Sequence, residues 1–488
     1  MRLDEYRGVG PKTRRLLTES LGVEAAAEAI ESGDVRTLVE AGLPHGRATR
    51  ILRHANGGTA LDLLATPDTR DVYKKLLELV SEYAVTAEAR DRIRILTPLA
   101  TRAGMVDRLD TVLAARDGWM ALGEHRRERA LDIFETYDNA GGDRRGAVEA
   151  ALSAREAGLD SGVFGPLAEL DPDALEAALA ALAGLSGGGD RVGEGADDRL
   201  DTLRGQLGAV EDMAATPGDV VSAVQSGARG TVELREALAR TVADSADVDL
   251  ARVRESMPGE AVDARSFVED TLRTLTSDLR TAVTERETAV ADRLSGVLAE
   301  TDSEVEGAVA AVDDIAFDVS LARFALAFEL TRPDLVERRA TGVVGARNLA
   351  LADAGGSVQP VTYAVGDHDL SVPGANPPPD GDRVAVLTGA NSGGKTTLLE
   401  TLCQVQLLAQ MGLPVPAEQA EVGIVDTVVF HRRHASFNAG VLESTLQTVV
   451  PPVTTAERTL MLVDEFEAIT EPGRAADLLH GLVTLTVD

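Results

Sequence analysis

Between Ser266 and Glu306 apolar residues return every three or four positions, at Val268, Leu272, Leu275, Leu279, Val283, Val290, Leu294 and Leu298, with charged residues between them. That spacing belongs to a helix with one apolar stripe and, sustained this long, to coiled-coil-like pairing. The same rhythm predicts shorter amphipathic helices through residues 60–185, including Tyr73 to Tyr83 and Arg126 to Tyr137. Residues 197–330 read as long helices broken at Pro217-Gly218 and Pro258-Gly259, and the Gly- and charge-rich stretch 186–195 reads as a loop or linker. Such helices pack antiparallel by default and can also serve as levers or clamps.

At Ser357 the texture changes. Val358, Val361, Tyr363 and Val365 have strand character, Pro373 to Asp380 is a Pro-rich loop, and Arg383 to Thr388 predicts a buried strand. Thr459 to Val463 predicts a second one. The expected fold class is therefore α/β plus all-α, in three parts: a compact N-terminal unit at 1–57, a helical segment at 58–340 and an α/β domain at 341–488.

In the first part, Arg7-Gly8-Val9-Gly10-Pro11-Lys12 leads into the helical pattern Thr13 to Leu17, and a weaker echo, Ala41 to Arg47, leads into a helix holding Ile51 and Leu52. Glycine lets the backbone turn tightly at such points. Two glycine hairpins between short helices resemble the tandem helix-hairpin-helix module, whose hairpin amides and adjoining helix N-terminus hold a DNA phosphate. On that resemblance Gly8, Gly10, Lys12, Arg14 and Arg15 are the DNA-binding candidates. A small helical bundle with glycine caps is the other reading.

Composition supports helix, since 44% of residues are hydrophobic but only 3% aromatic, so Ala, Leu and Val must fill the cores. The formal net charge of -32 argues at first against a polyanionic partner. However, lysine occurs only at Lys12, Lys74, Lys75 and Lys395, every other cation being Arg, and acid is spread along the whole chain. This resembles the salt-adapted style of halophile proteomes. High salt weakens phosphate contacts through counterion release, so a DNA site must rest on local Arg and backbone groups. Cys403 is the single cysteine, which excludes internal disulfides and cysteine-based metal clusters and fits a reducing cytoplasm. No apolar stretch reaches membrane-spanning length, so a cytoplasmic protein without a membrane partner is expected.

The strand expected to end at Leu387 is followed by Gly389-Ala390-Asn391-Ser392-Gly393-Gly394-Lys395-Thr396 and then by a helical pattern, Thr397 to Ala409. Strand, glycine loop and helix in this order form a P-loop. Its glycines expose amides to phosphate, Lys395 reaches the β and γ phosphates, and the Thr396 hydroxyl ligates Mg²⁺. Residues 389 to 397, Thr397 included, are thus the ATP-binding candidates. Asp464 and Glu465 end the Thr459 strand, where ligands bind in such sheets. Asp464 is assigned to the magnesium and Glu465 to the attacking water as general base, with Lys395 the second catalytic residue. An acidic pair capping a strand is the bland alternative. His431 and His434 read as surface residues rather than metal ligands.

These motifs resemble the ATPase of the MutS family of DNA-repair proteins. Thr388 to Thr397 has that family's Asn after Gly and double Gly before Lys; Leu407 to Met411 with Gly412 to Ala417 and Glu421-Val422-Gly423 is similar to its following helix and Val-Pro-Ala turn. Ala435-Ser436-Phe437 with Leu442-Glu443 resembles its signature, and Ile469 to Gly473 its dimer-contact loop, in the style of the recombination-related branch. Gly345 to Asn348, Val365-Gly366-Asp367, and Val312 to Arg323 with Arg332-Pro333 resemble the lead-in and last core helix. The likeness is strong over about 310–482 and architectural over 60–310.

The resemblance implies an ATP- and Mg²⁺-dependent ATPase of ABC type that forms a homodimer with composite sites, in which the signature loop of one subunit, through Ser436 or Asn438, reaches the γ-phosphate held by the other. It also implies binding of double-stranded or branched DNA in repair or recombination, with ATP opening and closing a clamp. A structural-maintenance or recombination-type tether and a nucleotide switch with negligible turnover are the alternatives. No Phe-X-Glu wedge occurs near the N-terminus and no room for a mismatch-reading domain is expected before the core, so a mismatch sensor is not the expectation. The helix Arg474 to Leu482 and a strand start at Val483 lack the family's switch histidine and further strands, so a truncated form is expected.

Overall fold

The computed structural model describes residues 3, 6–186, 191–225, 231–259, 263–372, 378, 380–388, 394–432, 458–464, 480, 481, 483 and 484. They are mostly helical, with a smaller β component toward the C-terminus. The chain forms two compact units, one of residues 1–143, 153–169 and 310–488, the other of residues 144–152 and 170–309.

The first unit opens with α1 (Pro11–Ser20), α2 (Val23–Ser32), α3 (Val35–Glu40) and α4 (His45–Gly57). Pro11 suits the first turn of α1, where its missing N–H has no partner to lose, and Asp34 caps α3 by accepting the Thr37 amide at 2.8 Å. Their apolar stripes meet in one small core around Leu17, Ile30, Leu38, Ile51 and Leu52. Next come α5 (Pro67–Ser81), α6 (Ala87–Arg94), α7 (Arg102–Ala121) and α8 (Glu124–Asn139), the first three started by the caps Thr66, Thr86 and Thr101. The caps explain why α5 begins well before the apolar period at Tyr73.

After α9 (Arg144–Glu156), which leads from the second unit into the first, and the short α10 (Gly165–Ala168), the second unit runs through α11 (Pro172–Gly184), β1 (Leu185–Ser186) and β2 (Arg191–Val192). β1 and β2 pair antiparallel within the stretch expected as a loop. Buried Val192, packed with Leu200 and Val290, anchors that ladder. Then follow α12 (Asp198–Ala215), α13 (Pro217–Gln225), α14 (Thr231–Ala246), α15 (Leu250–Glu255) and α16 (Ala264–Glu300). α16 is unbroken over 37 residues, and its Leu272, Leu275 and Leu279 meet Leu203, Val210, Leu238 and Val242 in this unit's core. The predicted stripe is therefore one helix, ending at Glu300 before α17 (Asp302–Ala327) begins.

From residue 310 α17 belongs to the first unit, where Phe324 and Phe328 meet Tyr83 with ring centroids 5.8 Å apart. Then come β3 (Asp334–Val336), β4 (Ala340–Ala346), α18 (Leu349–Asp353), β5 (Val361–Gly366), α19 (Lys395–Gln410), β6 (Gln419–Gly423), β7 (Thr427–His431) and β8 (Thr459–Val463). One sheet has the order β3-β6-β4-β5; β7 and β8 form a separate parallel pair. One core joins α5, α7, α17 and α19 to these strands, among them Leu76, Met105, Phe324, Leu402, Leu408, Val422 and Phe430.

Two segments depart from the structure their sequence predicts. Residues 383–388 form no strand and are largely exposed, Val386 at 66%. Their apolar residues have strand propensity, but a strand exists only where a neighbouring ladder takes its amides and carbonyls, and among the described residues this segment has none. Val483 and Thr484 are helical, not the start of a strand, and the Thr484 hydroxyl donates to the His480 carbonyl at 2.8 Å. The strand at Thr459 is present as expected, although only Leu462 of its five residues is buried.

Candidate functional site

Gly394 is the N-cap of α19, with φ +77°, a left-handed conformation that glycine adopts without strain. The cap supplies no side-chain acceptor, so the first turn, starting at Lys395 and Thr396, leaves its amides to other partners. Opposite stands Asp464, directly after β8 and buried to 6% exposure. The Thr396 hydroxyl donates to its Oδ2, and the Asp464 amide donates to the His431 carbonyl at 2.9 Å. Two residues assigned separately from sequence, 68 positions apart, are thus in contact. A hydroxyl and a carboxylate are both hard oxygen donors, a set that suits Mg²⁺ completed by water and phosphate rather than an all-protein cage. Gly389 to Gly393, Ser436, Asn438 and Glu465, together with His434, lie outside the described residues.

Four buried polar side chains fix the rotation of α19. Gln406 donates to the Gly423 carbonyl at 2.9 Å and to Gln410 Oε1 at 2.7 Å, while Gln410 both donates to the Val425 carbonyl and accepts its amide. Gln404 accepts the Leu349 amide at 3.0 Å, and Asn348 donates to the Thr401 hydroxyl at 3.2 Å. Sequence patterning missed them, because a glutamine at a buried helix position looks like part of a polar face. Cys403, on the same helix, is fully buried, and burial pushes its thiol far above the usual range.

β7 has β8 on one edge and, unexpectedly, the start of α5 on the other. Thr69 accepts the Phe430 amide at 3.0 Å and donates to the Val428 carbonyl at 3.1 Å; Thr66 donates to the Phe430 carbonyl; Asp68 accepts the Arg432 amide at 2.9 Å. The cap and first turn of a helix thereby stand in for a strand. His431, expected at the surface, is instead only 15% exposed and faces Asp68, with Nδ1 3.7 Å from the carboxylate. Among the described residues no group of three or more His, Cys, Asp or Glu could hold a metal ion, and no helix is long and apolar enough to cross a membrane.

Gly8 and Gly42, in the turns before α1 and α4, have φ +101° and +98°. A Cβ on Gly8 would lie 3.2 Å from Ile51 of α4, and one on Gly42 3.5 Å from Leu16 of α1, so each turn packs on the helix that follows the other. Gly10, by contrast, has ordinary φ and serves as the N-cap of α1. Lys12, Arg14 and Arg15 are exposed around that N-terminus, and Arg47 and Arg50 are exposed at the start of α4. Arg7, Arg50 and Arg53 lie close enough that, after burial, they lower the pKa of His54. Residues 1–57 hold nine Lys and Arg against eight Asp and Glu, a balance unlike that of the whole chain. Sequence patterning singled out only the cations after the first glycine turn; the glycine echo Gly42-Leu43-Pro44-His45-Gly46-Arg47 was the available signal for Arg47 and Arg50.

Residues 385–468 match the family MutS domain V. Over this segment the chain is similar to the MutS family. It is 40% identical over 157 residues to the DNA-binding protein MutS2 of Pyrococcus furiosus, an alignment covering 32% of this chain and 26% of that protein. It is 29% identical over 244 residues to an endonuclease MutS2 of Solidesulfovibrio magneticus, covering 48% and 29%. A DNA mismatch repair protein MutS of Rhizobium meliloti aligns over 440 residues at 27% identity, covering 80% of this chain and 45% of the relative. The chain thus spans less than half the length of these MutS relatives.

Proposed function

We propose that this chain is an ATP-dependent DNA-binding protein of the MutS type, acting in repair or recombination on double-stranded or branched DNA. The observation that carries the reading is the contact of Thr396 with Asp464 at the glycine-capped start of α19, inside the segment matching MutS domain V. In this reading Gly389 to Thr397 hold the ATP phosphates, and Thr396 and Asp464 hold magnesium. Bound MgATP supplies the phosphoanhydride bond and the charge neutralisation that its cleavage needs. Lys395 stabilises phosphate charge, Glu465 orients and deprotonates water, and Asp464 keeps its place through its amide bond to His431. Ser436 or Asn438 completes the site of a partner subunit in a homodimer. Residues 1–57 bind DNA phosphates, and ATP state governs closure on the DNA.

The test measures Mg²⁺-dependent ATP turnover in high salt. Lys395→Ala is expected to weaken nucleotide binding, whereas Glu465→Gln retains ATP and loses on the order of 10²-fold or more in turnover. Parental turnover in Glu465→Gln refutes the general-base assignment. Activity recovered on mixing Lys395→Ala with a Ser436→Ala, Asn438→Ala double variant supports shared sites; no recovery refutes them.

A further inference from the structure

Arg432 follows β7 directly and leads into residues 433–457, which include Ser436 and Asn438. Its Nη2 lies 3.4 Å from Asp71 of α5 and 3.7 Å from Glu400 of α19, and its guanidinium sits over the Phe430 ring at 5.1 Å. The side chain is only 22% exposed, and its buried Nε has no hydrogen-bond partner among the described residues. Well-formed guanidinium–carboxylate bonds are about 2.7–2.9 Å long. Arg338 reaches that range on Glu421, at 2.8 Å. Arg432 is therefore shared between two carboxylates and fully engaged by neither. A fixed structural pair would close onto one of them, because a half-buried charge with loose partners leaves desolvation cost uncompensated.

The two carboxylates are fixed to different parts of the first unit. Glu400 lies one turn beyond Thr396 on the same face of α19. Thr396 holds Asp464, the Asp464 amide holds the His431 carbonyl, and His431 precedes Arg432, so these residues close a ring. Asp71 sits on α5, whose first turn lines the edge of β7.

We propose that Arg432 is a positioning residue that couples α19 to α5, its guanidinium dividing between Glu400 and Asp71 according to the ligand held at Thr396 and Asp464. The inference rests on the ATP-site reading above. A ligand that draws Thr396 away from Asp464 shifts Glu400 with the same helix and changes the division, and α5 responds through Asp71. Such coupling requires a differential contact in the two states, and a shared guanidinium supplies one. Lys75, one turn along α5, also holds Asp71 at 3.0 Å and remains as a partner when Arg432 leaves it.

Hydrogen exchange on the full chain with and without MgATP tests this. In the parent, ATP is expected to change protection in both α19 and α5. In Arg432→Gln and in Asp71→Asn the α19 response should persist while the α5 response falls at least about threefold, with partial rescue in Arg432→Lys, which keeps the charge but not the fork. Asp71 is 47% exposed, so its variant tests the coupling even if Arg432→Gln folds poorly. An α5 response that survives in Asp71→Asn, or is absent in a parent whose α19 responds, overturns the coupling alone. Silence of α19 in the parent overturns the ATP reading and the coupling together.

Discussion

Thr69→Val tests whether the first turn of α5 serves as the missing neighbour of β7. Thr69 is fully buried, and its hydroxyl both accepts the Phe430 amide at 3.0 Å and donates to the Val428 carbonyl at 3.1 Å. Valine keeps the shape and removes both bonds. The Val428 carbonyl retains a 3.4 Å contact from the Ala65 amide, so the main loss is one buried, orphaned N–H at Phe430. Leaving such a group unsatisfied costs about 1–3 kcal/mol, and the second lost bond adds about 0.5–1.5 kcal/mol, for a total of about 1.5–4.5 kcal/mol. Thr69→Ser keeps the hydroxyl and loses one buried methyl, about 1 kcal/mol. Urea unfolding followed by the fluorescence of Trp119, the single tryptophan, buried on α7 in the same compact unit, reads the difference as a shift in midpoint at constant slope. A Thr69→Val protein within about 0.5 kcal/mol of the parent would refute the edge-replacement argument.

Burial, with the charge of Asp313 next in weight, pushes the Glu88 carboxyl from 4.5 up to about 7. Because the folded-state value is the raised one, the stabilisation Glu88 contributes is complete below about pH 4.5 and is lost as pH rises to about 7. Glu88→Gln should remove that slope and be more stable than the parent at pH 8 by about 1–2 kcal/mol, after discounting for partial exposure; equal pH–stability curves would count against the buried charge. Replacing Lys12, Arg14 and Arg15 together by Ala should weaken DNA binding similarly for all sequences and lower the salt slope by about 2 to 3; an unchanged slope in a binding titration removes the first hairpin from the DNA interface.

How far the sequence reached depended on whether a signal was local. Gly394, Lys395 and Thr396 announced a glycine-capped helix start because the backbone requirement and the chemistry fall on neighbouring residues, and the helices α5, α8 and α16 followed from the apolar period. Asp464 was legible as the end of an apolar run, and its contact with Thr396 follows from what both would bind. The segment 383–388 misled, since propensity belongs to a residue but a strand belongs to a pair. Nothing local could assign Thr66, Asp68 and Thr69 to an edge of β7 some 360 positions away, or bring Asp71 and Glu400 to one guanidinium. Nor could it turn Gln404, Gln406 and Gln410 inward. Side chains that satisfy distant backbone carry no periodicity of their own, and their partners exist only once the tertiary fold has set which edges and helix ends meet.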